Sequence, residues 1–247
     1  RYERQNKGLP DVKYAERDVA VMAKYLKKTL GYADANIIVR TNITSGDFRT
    51  LLGTDQNPRG KIHNYLRSGA KSDVFIYYVG HGVPGPKGGS AYLVPVDASA
   101  DYIRNNGYPL ELFYKILENL PAKSKTIVLD ACFSGYSPSG FLLKKVSPAM
   151  LKTSNPAKNI SNTAMFCAAD KDQVATWYPA KRHSLFSYFF LKGIQGAADA
   201  DKDKIIRLKE LENYLKEEVP YQALRESNRT QTPLVTGNRD FVIAEFE

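Results

Sequence analysis

Two short runs without a polar face set the fold of this chain. Asp73-Val74-Phe75-Ile76-Tyr77-Tyr78-Val79 and Thr126-Ile127-Val128-Leu129-Asp130 stay apolar at successive positions instead of alternating. A strand that is apolar on both sides must lie between two layers, which is the place of a central parallel strand covered by helices on each face. The segments around them agree. Val19, Met22, Ala23, Leu26 and Leu30 recur at helical spacing and Gly31 follows them, which predicts a helix over 15–30. The same reading predicts strands over 36–39, 91–96, 164–168 and 241–244, and helices over 58–67, 110–120, 184–194 and 208–219. Such alternation predicts an α/β fold: an α/β/α sandwich with a mostly parallel sheet and helices on both faces. Residues 144–162 interrupt it. They lose the periodicity and collect Lys, Ser, Asn and two prolines, the composition of an exposed connector.

With 247 residues and 43% apolar side chains, the chain has material for such a core. No apolar run approaches the roughly 18–20 residues of a membrane span. Only two cysteines are present, Cys132 and Cys167, too few for a disulfide framework. The expectation is a soluble protein without a membrane span, suited to a reducing compartment such as the cytoplasm. Lys and Arg number 35 against 26 Asp and Glu, a net charge of +9. The basic residues are scattered and carry no nucleic-acid motif, so nucleic acid is not an expected partner.

In a sheet of this kind, sites gather in the loops after the carboxyl ends of strands. Both apolar runs end at a reactive side chain beside glycine: Val79-Gly80-His81-Gly82 and Asp130-Ala131-Cys132-Phe133-Ser134-Gly135. A thiol with a reference pKa of roughly 8.5 is mostly protonated at neutral pH, and an imidazole is the group that removes or balances its proton. The pair predicts Cys132 as nucleophile and His81 as base, with the backbone N–H groups of Gly82 and Cys132 as an oxyanion hole. His63 reads as a solvated surface histidine, His183 as local structure before the helix cap Ser184, and Cys167 as a packing residue within a strand.

YYVGHG followed by LDACFSG, with 51 residues from His81 to Cys132, resembles the His-Cys dyad of the caspase and metacaspase peptidases. LPDVKYAERDV, YLVPVD, CAADKDQVA and HSLFSYFFLKG extend the resemblance to the C-terminus. It implies one caspase-like domain made of a large part over 1–145 with the dyad, a connector over 146–162 and a small part over 163–247. The family strand that normally precedes LPDVKYAERDV lies outside the sequence, which implies a piece of a larger chain.

The resemblance also bears on specificity. Two residues before the cysteine, caspases carry a glutamine in a basic pocket for aspartate; here the residue is Asp130. Metacaspases have an acid there and a second in the first helix, which falls on Asp18. Two converging carboxylates repel unless a cation joins them, and a guanidinium donates to both through charge-assisted bonds. The implied substrate is a peptide or protein cut after Arg, with Lys second because an ammonium lacks the planar fork. The metacaspase pocket also has a serine two residues before the histidine, and here Val79 stands in its place.

No cofactor is required by this chemistry. Many metacaspases bind calcium between the histidine and the cysteine, but the acids needed there are missing from GYPLELF. Asp199, Asp201, Asp203 and Glu210 instead have the ligand spacing of an EF-hand loop, with Lys204 at the usual glycine and Arg207 at another ligand position; an acidic solvated turn is the equal alternative. Lys144, Lys145, Lys152 and Lys158 place basic residues near the nucleophile as possible points of self-cleavage, a zymogen switch. The competing reading from another class is a caspase-like interaction module that docks an anionic partner without proteolysis. A dinucleotide site has no G-x-G-x-x-G to support it.

Overall fold

The structure, a computed structural model, describes residues 1–3, 9–85, 90–99, 102–142, 158–170 and 172–246. Its main sheet contains β1 (Asp73–Val79), β2 (Ser124–Asp130), β3 (Thr163–Cys167) and β4 (Leu234–Thr236), in that spatial order. β1, β2 and β3 are parallel and β4 runs antiparallel to β3. The helices are α1 (Ala15–Lys28), α2 (Ser45–Leu52), α3 (Leu110–Asn119), α4 (Leu185–Lys192) and α5 (Leu208–Ser227).

Successive strand residues face opposite layers. Val128, Ala164 and Phe166 belong to a core with Met22 of α1, Phe186 and Phe190 of α4, and Leu211 and Leu215 of α5. Ile127, Leu129, Met165 and Cys167 belong to another, with Phe48 of α2 and Phe113, Ile116 and Leu117 of α3. The sheet is thus covered on both faces, as its unbroken apolar strands require. Because β2 and β3 pair along their length, the parts before and after the connector share one sheet.

Several elements differ from the sequence reading. Residues 36–39 are not a strand: Asp34–Asn36 form a 3-10 turn, and among the described residues 37–39 pair with no strand. A trough of about 2500 Å³ lies between that segment, α1 and β1. β1 is accordingly at the sheet edge, not central, and its Phe75, Ile76 and Tyr77 are only half-buried. The helix expected over 58–67 is a 3-10 turn, Lys61–Tyr65. The true helix here is α2, started by a capping box in which Thr44 Oγ1 accepts from Asp47 N at 3.2 Å and Thr44 N donates to Asp47 Oδ2 at 2.9 Å. The strand expected over 91–96 pairs only at Tyr92–Leu93, between Gly82–Val83 and Tyr108–Pro109. α5 continues past Pro220 to Ser227. Leu208, Leu211, Leu215, Val219 and Ala223 form one buried stripe, and packing along it outweighs the roughly 3 kcal/mol cost of an interior proline. β4, unforeseen, makes the sheet mixed.

Candidate active site

The register of the parallel sheet does the first part of the positioning. Val79 lies opposite Asp130, and Gly80 N donates to Asp130 O at 3.2 Å. His81 and Cys132 follow this pair at equal distance along their chains, and both line one narrow cavity of about 30 Å³ together with Asp130, Val12, Ala175, Thr176 and Trp177. Glycine permits the approach: a Cβ on Gly82 would lie 2.6 Å from the Phe133 ring and 2.7 Å from the Cys132 carbonyl oxygen. The two segments that the sequence singled out are therefore brought to one concave surface.

His81 is buried against the N-terminal segment. Its Nε2 lies 2.7 Å from Pro10 O, and since a carbonyl only accepts, Nε2 carries the proton and Nδ1 is the basic nitrogen of the neutral ring. Tyr2 stacks at a tilt on the imidazole, 4.6 Å between centroids, and its hydroxyl accepts from His81 N at 3.2 Å. Burial pushes the imidazole down to about 4, against the opposing bond to Pro10.

Cys132 Sγ accepts the N–H of Ala175 at 2.7 Å. Burial pushes its thiol up to about 12, with the Ala175 N–H acting in the other direction. The segment bearing Ala175 is held by Gln231, which is 0% exposed. Gln231 Oε1 accepts from Thr176 N at 2.8 Å and Thr176 Oγ1 at 2.6 Å, while its Nε2 donates to Ala168 O at 2.9 Å. Gln231→Leu strands these groups in the interior, at a cost of about 2–4 kcal/mol. Thermal denaturation is expected to show Tm lowered by roughly 5–12 °C, and an unchanged Tm would contradict this role.

The two acids differ. Asp130, 4% exposed, lines the cavity and accepts a short hydrogen bond from Ser187 Oγ, which also lies 2.6 Å from Tyr77 OH. Burial raises its pKa to about 6; the bonds from serine oppose this and the charge of Asp18 reinforces it. Asp18 is 0% exposed and is not part of the cavity lining. Its Oδ1 contacts His183 Nδ1 and its Oδ2 accepts from Ser184 N at 3.0 Å. Burial raises the Asp18 carboxyl as well, opposed by His183. His183, read from sequence as local structure, is thus the partner of Asp18, 165 residues away. No local pattern announces such a contact. Ser187, Gln231 and Pro10 escaped the sequence reading for the same reason.

Cys167 is wholly buried in the core, as expected of a packing residue. Lys144, Lys145 and Lys152 lie outside the described residues. Lys158 pairs with Glu118 at 2.8 Å. Carboxylate oxygens of Asp199, Asp201 and Asp203 lie within 4.8 Å of one another. Lys204 takes φ 67°, the left-handed turn that glycine makes at this place in an EF-hand. Arg207, however, binds Asp203 at 2.6 Å, and Glu210 spends its oxygens on Ala200 N and Arg207 N, each at 3.0 Å. The carboxylates suit a hard cation in type, while an arginine already neutralises one of them.

A helix-covered sheet with histidine and cysteine at adjacent strand ends defines a caspase-like fold. Residues 2–241 match the family model described as the caspase domain. Among solved structures, caspase-1 from Spodoptera frugiperda is similar with a TM-score of 0.60 and 14% identity, over 94% of this chain and 81% of that one. No curated protein matches. The chain belongs to the caspase-domain peptidase family, whose members are cysteine-type endopeptidases. No helix among the described residues is long and apolar enough to cross a membrane.

Proposed function

We propose that this chain hydrolyses peptide bonds after arginine, and less rapidly after lysine, with Cys132 as nucleophile and His81 as base. The observation that carries the specificity is the carboxylate of Asp130 in the same cavity as the dyad. A protein of net charge +9 repels a cationic side chain at large, so a basic residue needs a local acid to hold it. Asp130 supplies that charge, and Trp177, which also lines the cavity, adds an apolar wall for the aliphatic stem of the side chain.

The mechanism follows from the protonation states. With the thiol raised and the imidazole lowered, the resting pair is neutral, so the proton moves during the reaction. Cys132 Sγ gives its proton to His81 Nδ1 as it attacks the scissile carbonyl carbon. The oxygen that becomes negative takes hydrogen bonds from the N–H groups of Cys132 and Gly82. Pro10 O holds Nε2–H and steadies the imidazolium while it forms. His81 then protonates the leaving amine, the C–N bond breaks, and a thioester remains on Cys132. A water molecule, deprotonated by His81, cleaves it and restores the thiol.

Three fluorogenic peptides that differ only in a terminal Arg, Lys or Asp test the reading. The expected order of kcat/KM is Arg, then Lys lower by about threefold to tenfold, with Asp at background. Faster cleavage after Asp overturns it.

A further inference from the structure

We infer that His183 is a specificity-determining residue: it occupies Asp18 and leaves Asp130 as the single carboxylate for an incoming basic side chain. This rests on the proposed cleavage after basic residues. His183 lies in a two-residue antiparallel hairpin, Trp177–Tyr178 with His183–Ser184. One strand of that hairpin carries Trp177 to the cavity and the other carries His183 to α1. Asp18 is closed on all sides, with Oδ1 against His183 Nδ1 and Oδ2 on Ser184 N. Its side chain is 0% exposed and that of His183 only 10%. A substrate cation therefore meets Asp130 first, and Asp18 lies behind it as an acid already partnered.

The consequence is a choice between arginine and lysine. A guanidinium gains most over an ammonium when two acceptors engage its fork; with Asp18 closed and Asp130 Oδ2 held by Ser187, one carboxylate oxygen is left free and the advantage of arginine stays modest. His183 therefore keeps the pocket tolerant of lysine. Its removal frees Asp18 Oδ1 for the second arm of an arginine, which lysine cannot use. The hairpin pairing also places His183 and Trp177 on adjoining strands, so the side chain that decides specificity and a wall of the cavity share one element.

The test measures kcat/KM on the Arg and Lys peptides for the wild type, His183→Ala and His183→Asn. His183→Ala is expected to raise the Arg-to-Lys ratio at least fivefold. His183→Asn, whose amide nitrogen takes the place of Nδ1 and again donates to Asp18, is expected to keep the wild-type ratio. A purely structural role lowers both substrates equally and leaves the ratio unchanged in His183→Ala, which overturns the inference. Should His183→Ala not fold, His183→Val, which has no donor for Asp18, serves in its place under the same criteria. The Asp peptide, measured on the wild type, separates failure of the basic-residue reading from failure of this one.

Discussion

Cys132→Ala is expected to lower kcat/KM on an Arg peptide by about 10⁴-fold or more, while Tm stays within roughly 2 °C of the wild type. The size follows from the chemistry: among the described residues the other hydroxyls that line the cavity are Ser137, Thr176 and Ser184, and an alcohol is a far weaker nucleophile than a thiol at neutral pH. The small effect on stability follows from the site. Cys132 is 8% exposed beside a cavity of about 30 Å³, so loss of one sulfur atom adds little void to a packed core. Cys167→Ala provides the opposite pattern. That thiol is fully buried between sheet and helix, so the variant is expected to melt lower and to retain its rate per folded molecule.

Asp130→Asn is expected to reduce kcat/KM on the Arg peptide by about 10²-fold or more and to flatten its pH dependence. An ionised carboxylate facing a guanidinium in a low-dielectric pocket contributes on the order of 3 kcal/mol, and the amide keeps the shape without the charge. The pH sign is fixed by the shift. Burial raises Asp130 to about 6, so above that pH it is an anion able to hold the proposed arginine, and below it the pocket is neutral. The imidazole at about 4 stays a neutral base throughout this range. The acid limb of kcat/KM between pH 7 and 5 therefore belongs to Asp130 in the free enzyme, and it is absent from the Asn variant. Stability moves the other way. A carboxyl raised from 3.8 to about 6 favours the folded state when protonated and opposes it once ionised, so Asp130→Asn melts no lower than the wild type at pH 7. A limb that persists unchanged in Asp130→Asn contradicts this assignment.

Much of the site was legible because its residues are fixed by backbone geometry. His81 and Cys132 close two apolar strands, and parallel pairing with Val79 opposite Asp130 carries both to one end of the sheet. Periodicity also placed α1, α3 and α4 close to their observed bounds. What was missed depends on contacts between distant segments or on caps. α2 is short, and its signal is the Thr44-x-x-Asp47 box rather than a long apolar stripe. β1 reads as central from its composition, yet pairing decides position, and only β2 lies beside it among the described residues. Asp18 was visible as an acid at the start of a helix; that His183 would close over it was not, since the two meet only when the hairpin folds onto α1.

Alkylation by a peptide chloromethyl ketone ending in arginine puts the central claim to its most direct test. The reagent places an electrophilic carbon beside the nucleophile, and the sulfur displaces chloride to form a thioether. Peptide mass mapping is expected to find one adduct, on Cys132, in the wild type, and almost none in His81→Ala over the same time. An adduct on Cys167 instead, or peptide hydrolysis that continues after Cys132 is fully modified, would contradict the account.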